Sequence, residues 1–282
     1  MPKAPYLSEK ITLTICLALV CDSQKSIVAV ADRMVSVEFL SLQFEQRTPK
    51  VDYIGKRFAV LTAGDALGHT DIIREAAKDI NRLSEATVRD VASHLESQFI
   101  RVRRDLAEKT VMHRVGLDYS TFLEQQRNLA PELVSALMSE YQSVGLDIEL
   151  LVTGVDSTGA HLYLVSDPGV TTCFDSIGYA AIGSGLPHAE GFLAEADYAP
   201  SIPLNRAVWL TYVAKRRSER APGVGSNYTD VVIIDAATGA QLLDDRTMND
   251  LNGIYKQYVK GLQEVTEGFG NDVAGLSLSF RG

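Results

Sequence analysis

The sequence predicts an α+β protein arranged as a four-layer αββα sandwich, with helices outside two stacked sheets. Three observations point there. Strand-like and helix-like segments come in blocks (strands, helices, strands, helices, strands, helix), which favours layered packing over a doubly wound parallel sheet. The strand blocks are nearly continuously apolar, as sheets covered on both faces require. No stretch rich in Gly, Ser or Pro and no internal repeat interrupts the 282 residues, so the chain reads as a single domain, 1–282, large enough to bury a substantial core.

The first strand is expected in EKITLTICLALVCD, Glu9–Asp22. A basic start, an apolar run and a cysteine also mark a lipoprotein export signal. Val20 before Cys21, Glu9 just ahead of the apolar run and the alternation of β-branched residues fit a strand better. Residues 1–11 then read as an extension, similar to a propeptide. IVAVADRMVS follows after the polar turn Asp22–Lys25, giving a hairpin. KVDYI and RFAVLTAG form a second pair of strands. The period then changes to helical: Ile72, Ile73, Ala76 and Ile80 share one face, and Val88, Ala92, Leu95, Phe99, Val102 and Leu106 form a longer stripe. Residues 108–130 are weakly patterned, a mixture of helix and loop, and 99–130 reads as a helical elaboration. Another helix follows Pro131.

Strands return in DIELLVTGVD, AHLYLVSD, VTTCFD and YAAIGSG, with turns at Asp156–Gly159 and Pro168-Gly169. Helices are expected over Gly185–Ala196 and from Pro203 to about Arg220, the second with Leu204, Ala207, Val208, Thr211 and Tyr212 on one side. TDVVIIDAATGAQLL is a last hairpin. The closing helix carries Leu251, Ile254, Tyr255, Tyr258 and Leu262 at helical spacing, and the final dozen residues read as frayed.

Composition narrows the function. A formal charge of −9 argues against a nucleic-acid surface. The basic clusters Arg101, Arg103, Arg104 and Lys215-Arg216-Arg217 lie in helical patterns and read as solvated faces. Cys16, Cys21 and Cys173 are too scattered for a disulfide framework or a zinc site, and the histidines lack ligand spacing, so neither metal nor cofactor is expected. No apolar run reaches the roughly 18 residues that span a bilayer. The chain therefore reads as a reduced, cytoplasmic protein.

TLTICLAL, VAVADRMVS, PKVDYI and LTAGDA, joined later by YAAIGSG, occur in an order and spacing that resemble the β-type subunits of the proteasome and their bacterial relatives, which are N-terminal nucleophile hydrolases. The likeness covers about residues 12–265. Each motif alone is weak: Asp32 by itself reads as a strand end, Lys50 as a surface lysine, Gly64 and Gly183–Gly185 as turn glycines. Lys50 to Gly64 spans the expected 14 residues; Thr14 to Asp32 and Asp32 to Lys50 are each 18, slightly longer, with the surplus in the intervening turns.

The resemblance implies a catalytic set. The hydroxyl of an N-terminal Thr14 would be the nucleophile and its own α-amine, with a pKa near about 8, the base. Lys50 would depress that amine's pKa and Asp32 would hold the lysine. The Gly64 N–H would meet the oxyanion, and Ser184 would complete the polar network. Thr14 is preferred to Thr12 because a turn centred near Ser23 sets residue 14 opposite Asp32; Cys16, on the same face, is the remote third candidate. The family's glycine before the threonine is replaced by Ile11 and Leu13, and its second aspartate has no clean match, leaving Glu219, Ser226 or Asp230 as substitutes. A leucine codon at Leu13 used as a start would give Met-Thr14 and, after methionine removal, a free threonine.

The implied activity is hydrolysis of polypeptide or amide bonds, in a homo-oligomeric ring, with any ATPase unfoldase a separate protein. Two rivals stand beside it: a non-catalytic proteasome-like scaffold, and an amidase or acyl-transfer enzyme for small substrates.

Overall fold

The computed structural model describes residues 14–37, 42–65, 68–83 and 85–276. The chain divides into two compact units, Met1–Leu242 and Leu243–Gly282. Among the described residues, the strands of the first unit form two five-stranded sheets and a two-stranded ribbon.

The first sheet begins with β1 (Cys16–Cys21) and β2 (Ser26–Asp32), both buried along their whole length. The turn between them holds Asp22, Ser23 and Gln24 at positive φ. This four-residue turn pairs Cys16 with Ala31, one residue away from the expected register. Thr14 is therefore not opposite Asp32 in the ladder; the Asp32 N–H donates to the Ile15 carbonyl. The apolar run expected as one second strand breaks at Arg33, and β3 (Met34–Val37) turns away to pair with β4 (Leu42–Glu45).

The second sheet opens with β5 (Val51–Ile54) and β6 (Phe58–Gly64). Two helices follow, α1 (His69–Ile80) and α2 (Val88–Ala107). Thr87 starts α2 with a reciprocal capping box: its hydroxyl accepts from the Asp90 N–H while Asp90 accepts from the Thr87 N–H. The weakly patterned stretch beyond α2 is a π turn at Glu108–Met112, a 3₁₀ turn, the short α3 (Tyr119–Gln125) and a second 3₁₀ turn, before α4 (Pro131–Ser143). Val111, Met112, Phe122 and Leu137 give it a small core of its own.

The long strands β7 (Ile148–Asp156) and β8 (Gly159–Ser166) and the short β9 (Val170–Cys173) complete the second sheet. β10 (Tyr179–Ile182) crosses back to pair with β1, and α5 (Leu186–Glu195) and α6 (Leu204–Ser218) follow. β11 (Thr229–Asp235) then joins the other side of β2, with β12 (Gly239–Leu242) at the edge. The buried face of α6 runs through Ala207, Leu210, Thr211, Ala214 and Ser218, so Leu204 and Val208 lie at its margin.

Period-two alternation divides the core. Ala18, Ala29 and Ile234 of the first sheet pack with Leu61, Leu151 and Leu162 of the second in one cluster. The intervening side chains Val60, Leu150 and Val152 face Ile72, Leu95 and Phe99 of α1 and α2. On the first sheet, α6 contacts β1 and β2. Asp32 ends β2, and Thr14 lies two residues before β1 begins.

In the second unit, α7 (Asp245–Ala274) is 30 residues long and is capped by Asp244, whose side chain accepts from the Thr247 N–H. The helix runs to Ala274, further than the frayed end expected from sequence; residues 277–282 lie outside the described set.

Candidate active site

Thr14 lies just before β1 and is fully buried. Its hydroxyl donates to Asp32 Oδ1 and accepts from Lys50 Nζ at 2.8 Å. Lys50 also donates to the Met34 carbonyl and stands 3.6 Å from Asp32 Oδ1. The other Asp32 oxygen accepts from the Gly225 N–H at 2.8 Å. Thr14 is outside the ladder and so free of its alternation, which is why it meets Asp32 despite the shifted register. Two residues from two other segments, Asp32 and Lys50, thus converge on the Thr14 hydroxyl.

Electrostatics give each group a distinct character. Burial pushes the Asp32 carboxyl above its usual range, against the opposing pull of Lys50, the Thr14 hydroxyl and the Gly225 N–H. Such a carboxylate holds a proton more readily than an exposed one. Burial also pushes the Cys16 thiol up to about 12, with the Lys50 charge opposing, so the thiolate is disfavoured. Cys16 instead points its thiol at the Thr62 carbonyl, 3.5 Å away, and belongs to the core between the sheets.

Ser184 lies on the backbone side of Thr14. Its hydroxyl approaches the Pro222 carbonyl at 3.1 Å and the Thr14 carbonyl at 3.5 Å. With one proton to give, it favours the shorter contact. The Gly185 N–H also donates to the Thr14 carbonyl, at 3.2 Å. Gly183, at φ +90°, leaves no room for a side chain: a Cβ there would sit 2.6 Å from Thr14 Cγ2 and overlap its carbonyl oxygen. The Gly183 N–H is held by Glu149, a carboxyl raised chiefly by burial.

Gly64 ends β6 at φ +107°, and a Cβ there would overlap the Asp147 carbonyl. That packing accounts for the glycine on its own, and the contacts described for Gly64 are with Asp147 and Ile148. Among the substitutes for the second aspartate, Asp230 makes a bidentate pair with Arg33, at 2.8 and 2.6 Å. Glu219 pairs with Lys215 at 2.7 Å, and Ser226 is exposed. The group that reaches the cluster from this segment is the Gly225 peptide.

Lys215 corrects the expectation of a solvated basic face. It is fully buried, and its ammonium donates to Glu219, to the Gly225 carbonyl at 2.9 Å and to the Tyr228 carbonyl at 3.4 Å. Burial lowers its pKa while Glu219 and Asp32 oppose that shift. One residue therefore links two charges through its two flanking peptide groups: Gly225 accepts from Lys215 at its carbonyl oxygen and donates its N–H to Asp32. The sequence signal for this was helical position, since Lys215 lies one turn from both the buried Thr211 and the buried Ser218. Glu149 and the Met34 carbonyl had no sequence signal.

The structure is of the α+β class, and the similarity to proteasome beta subunits implies a fold of the N-terminal nucleophile hydrolase kind. No family model matches the chain. It is 31% identical over 119 residues to proteasome subunit beta 1 of Korarchaeum cryptofilum, covering 42% of this chain and 55% of that protein. It is 32% identical over 128 residues to a proteasome subunit beta of Methanosphaerula palustris, covering 44% and 59%. With proteasome subunit beta 2 of Pyrobaculum neutrophilum it shares 32% identity over 104 residues, 37% and 49% of the two chains. The chain thus spans about half the length of the curated relatives it matches. These matches support the proteasome beta-type family for this chain.

Among the described residues, no helix is long and apolar enough to cross a membrane, and no group of His, Cys, Asp and Glu is placed to hold a metal ion.

Proposed function

We propose that the chain is a proteasome-type threonine peptidase that hydrolyses peptide or amide bonds through Thr14 once Thr14 is the first residue. The observation that carries the proposal is the Lys50 ammonium 2.8 Å from the Thr14 hydroxyl, with Asp32 beside both. In the proposed cycle the freed α-amine takes the hydroxyl proton and Oγ1 forms an ester with the substrate acyl group. The amine's proton passes to the departing amine, and water then cleaves the ester. Lys50 stabilises the alkoxide as it forms, and Gly64 would offer its N–H to the oxyanion.

The same proposal has the layers run αββα: α5 and α6, the β1 sheet, the β5 sheet, then α1 and α2. What supports it is the apolar cluster shared by the sheets and the helices against their outer faces. We also propose a homo-oligomeric ring, a cytoplasmic location and, where folded proteins are substrates, a separate ATPase unfoldase. The helical elaboration over 99–130 would alter ring contacts or access to the site. The cluster of Thr14, Asp32 and Lys50 lies within the first unit.

N-terminal mass spectrometry of the native protein tests the central step. A chain starting at Thr14 is expected; an intact Met1 or an acetylated upstream end would overturn it. A second reading, the non-catalytic scaffold, is favoured by Thr14 being buried and by Leu13 standing where self-processing relatives carry glycine. Thr14→Ala compared with the parent on peptide and small-amide panels separates the readings. Loss on peptides supports the peptidase, loss on small amides alone supports the amidase, and no loss leaves the scaffold.

A further inference from the structure

Asp32 gives one oxygen to the Thr14 hydroxyl and the other to the Gly225 N–H, 2.8 Å away. The last torsion of an aspartate is soft, so the partner of Oδ2 decides where Oδ1 points. Gly225 has no side chain with which to fix itself. Two side chains from other elements hold its segment instead. Lys215 of α6, fully buried, spends its three N–H groups on Glu219 at 2.7 Å, the Gly225 carbonyl at 2.9 Å and the Tyr228 carbonyl at 3.4 Å. Glu45 of β4 accepts from the Asn227 N–H with both oxygens, each at 3.1 Å. Its Oε1 also lies so close over Gly225 that an added Cβ would overlap it.

Taking an ammonium out of water is costly, and apolar side chains would pack this segment at lower cost. What a buried lysine adds is a fixed direction for two carbonyls and a positive field at Asp32. Burial raises the Asp32 carboxyl, while Lys50, the Thr14 hydroxyl, the Gly225 N–H and Lys215 pull it down. The other titratable group beside it is the Cys16 thiol of β1.

We propose that Lys215 and Glu45 are positioning residues for Asp32: they set the Gly225 segment so that its N–H aligns the carboxylate on Thr14 and Lys50. The consequence for turnover rests on the peptidase reading; the alignment itself does not.

The test follows the full chain by urea unfolding across pH. Each background is compared with the same background carrying Asp32→Asn, so that the difference reports Asp32. In the parent that difference is lost as pH rises through the raised folded pKa. Lys215→Met keeps the length and removes the charge, and is expected to move the loss to higher pH. Glu45→Ala loosens the Gly225 N–H and should move it the same way, while Glu45→Gln, which keeps an acceptor for Asn227, should return it to the parental pH. Gly225→Ala displaces the Glu45 carboxylate and should shift as Glu45→Ala does, with no further shift when the two are combined.

A merely structural contact lowers stability equally at every pH, so a loss at the parental pH in Lys215→Met and Glu45→Ala would overturn the proposal. If Lys215→Met fails to fold, Glu45→Ala, on the partly exposed ribbon, decides alone. Where the parent cleaves peptides, Glu45→Ala is expected to cut kcat by about 10²-fold with KM nearly unchanged, and Glu45→Gln to restore it. The pH shift in a chain that cleaves no peptide supports the positioning role and defeats the peptidase. Cleavage by the parent, with neither shift nor loss of kcat in Glu45→Ala, supports the peptidase and defeats the positioning role.

Discussion

Replacing Gly183 by alanine probes the site through its backbone. At φ +90° an L-residue is strained by about 1–2 kcal/mol. The new Cβ would also lie 2.6 Å from Thr14 Cγ2 and against the Thr14 carbonyl, where the neighbour is backbone and cannot swing aside. Overpacking of this kind costs about a further 1–3 kcal/mol. The sum, about 2–5 kcal/mol, lowers the melting temperature by roughly 4–20 °C for a domain of this size. Gly191→Ala in α5 is the control, because nothing lies within 4 Å of its added Cβ and alanine favours the helix. Thermal and urea unfolding followed by circular dichroism would compare the two. Gly183→Ala is expected to destabilise, and Gly191→Ala to be neutral or stabilising. A Gly183→Ala protein with parental stability would refute the close approach of this turn to Thr14, and with it the geometry of the cluster.

Asp32→Asn reads the buried carboxyl. Its folded pKa is raised, so its stabilising contribution is full below its ordinary value of 3.8 and is lost as pH rises through the folded pKa. The parent's stability relative to Asp32→Asn should therefore decline with rising pH across urea titrations between about pH 3 and about pH 7; a flat difference contradicts the raised pKa. Thr87→Ala removes the box that starts α2 and should cost about 1 kcal/mol, seen as a fall in the urea midpoint. An unchanged midpoint would mean that the cap is dispensable. Thiol labelling of the native chain should modify Cys173 alone, with Cys16 and Cys21 reacting only after denaturation; rapid native labelling of Cys16 would show its thiol to be accessible.

What the sequence made legible was whatever rests on local period and joint spacing. The strands of both sheets, α1, α2 and the helix after Pro131 follow from apolar patterns and from Pro and Gly at their ends. Thr14, Asp32 and Lys50 were placed by the resemblance to the proteasome β-type subunits, and the structure brings their side chains together. The register of β1 on β2 was misjudged by one because it depends on three consecutive left-handed residues in the turn, a conformation that Asp, Ser and Gln do not announce. The break at Arg33 was hidden because the pull on it comes from Asp230, far along the chain. Lys215 was taken for surface because two arginines follow it. Its burial depends on carbonyl oxygens of the segment after α6, and no local pattern encodes them.

β2 lies between β1, its hairpin partner, and β11, which is made almost at the end of the first unit. As the chain is synthesised, the β1–β2 hairpin emerges early with an open edge and two apolar faces. That edge stays unpaired until Asp235 has left the ribosome. At typical elongation rates of about 5–20 residues per second, some 200 residues take about 10–40 s. Throughout that interval the segment that will hold Thr14 and Asp32 is a hydrophobic strand edge in search of a partner, open to pairing with neighbouring nascent chains. Chaperone demand and yield in recombinant expression should therefore depend on this hairpin more than on any helix, and slower translation beyond it should favour aggregation.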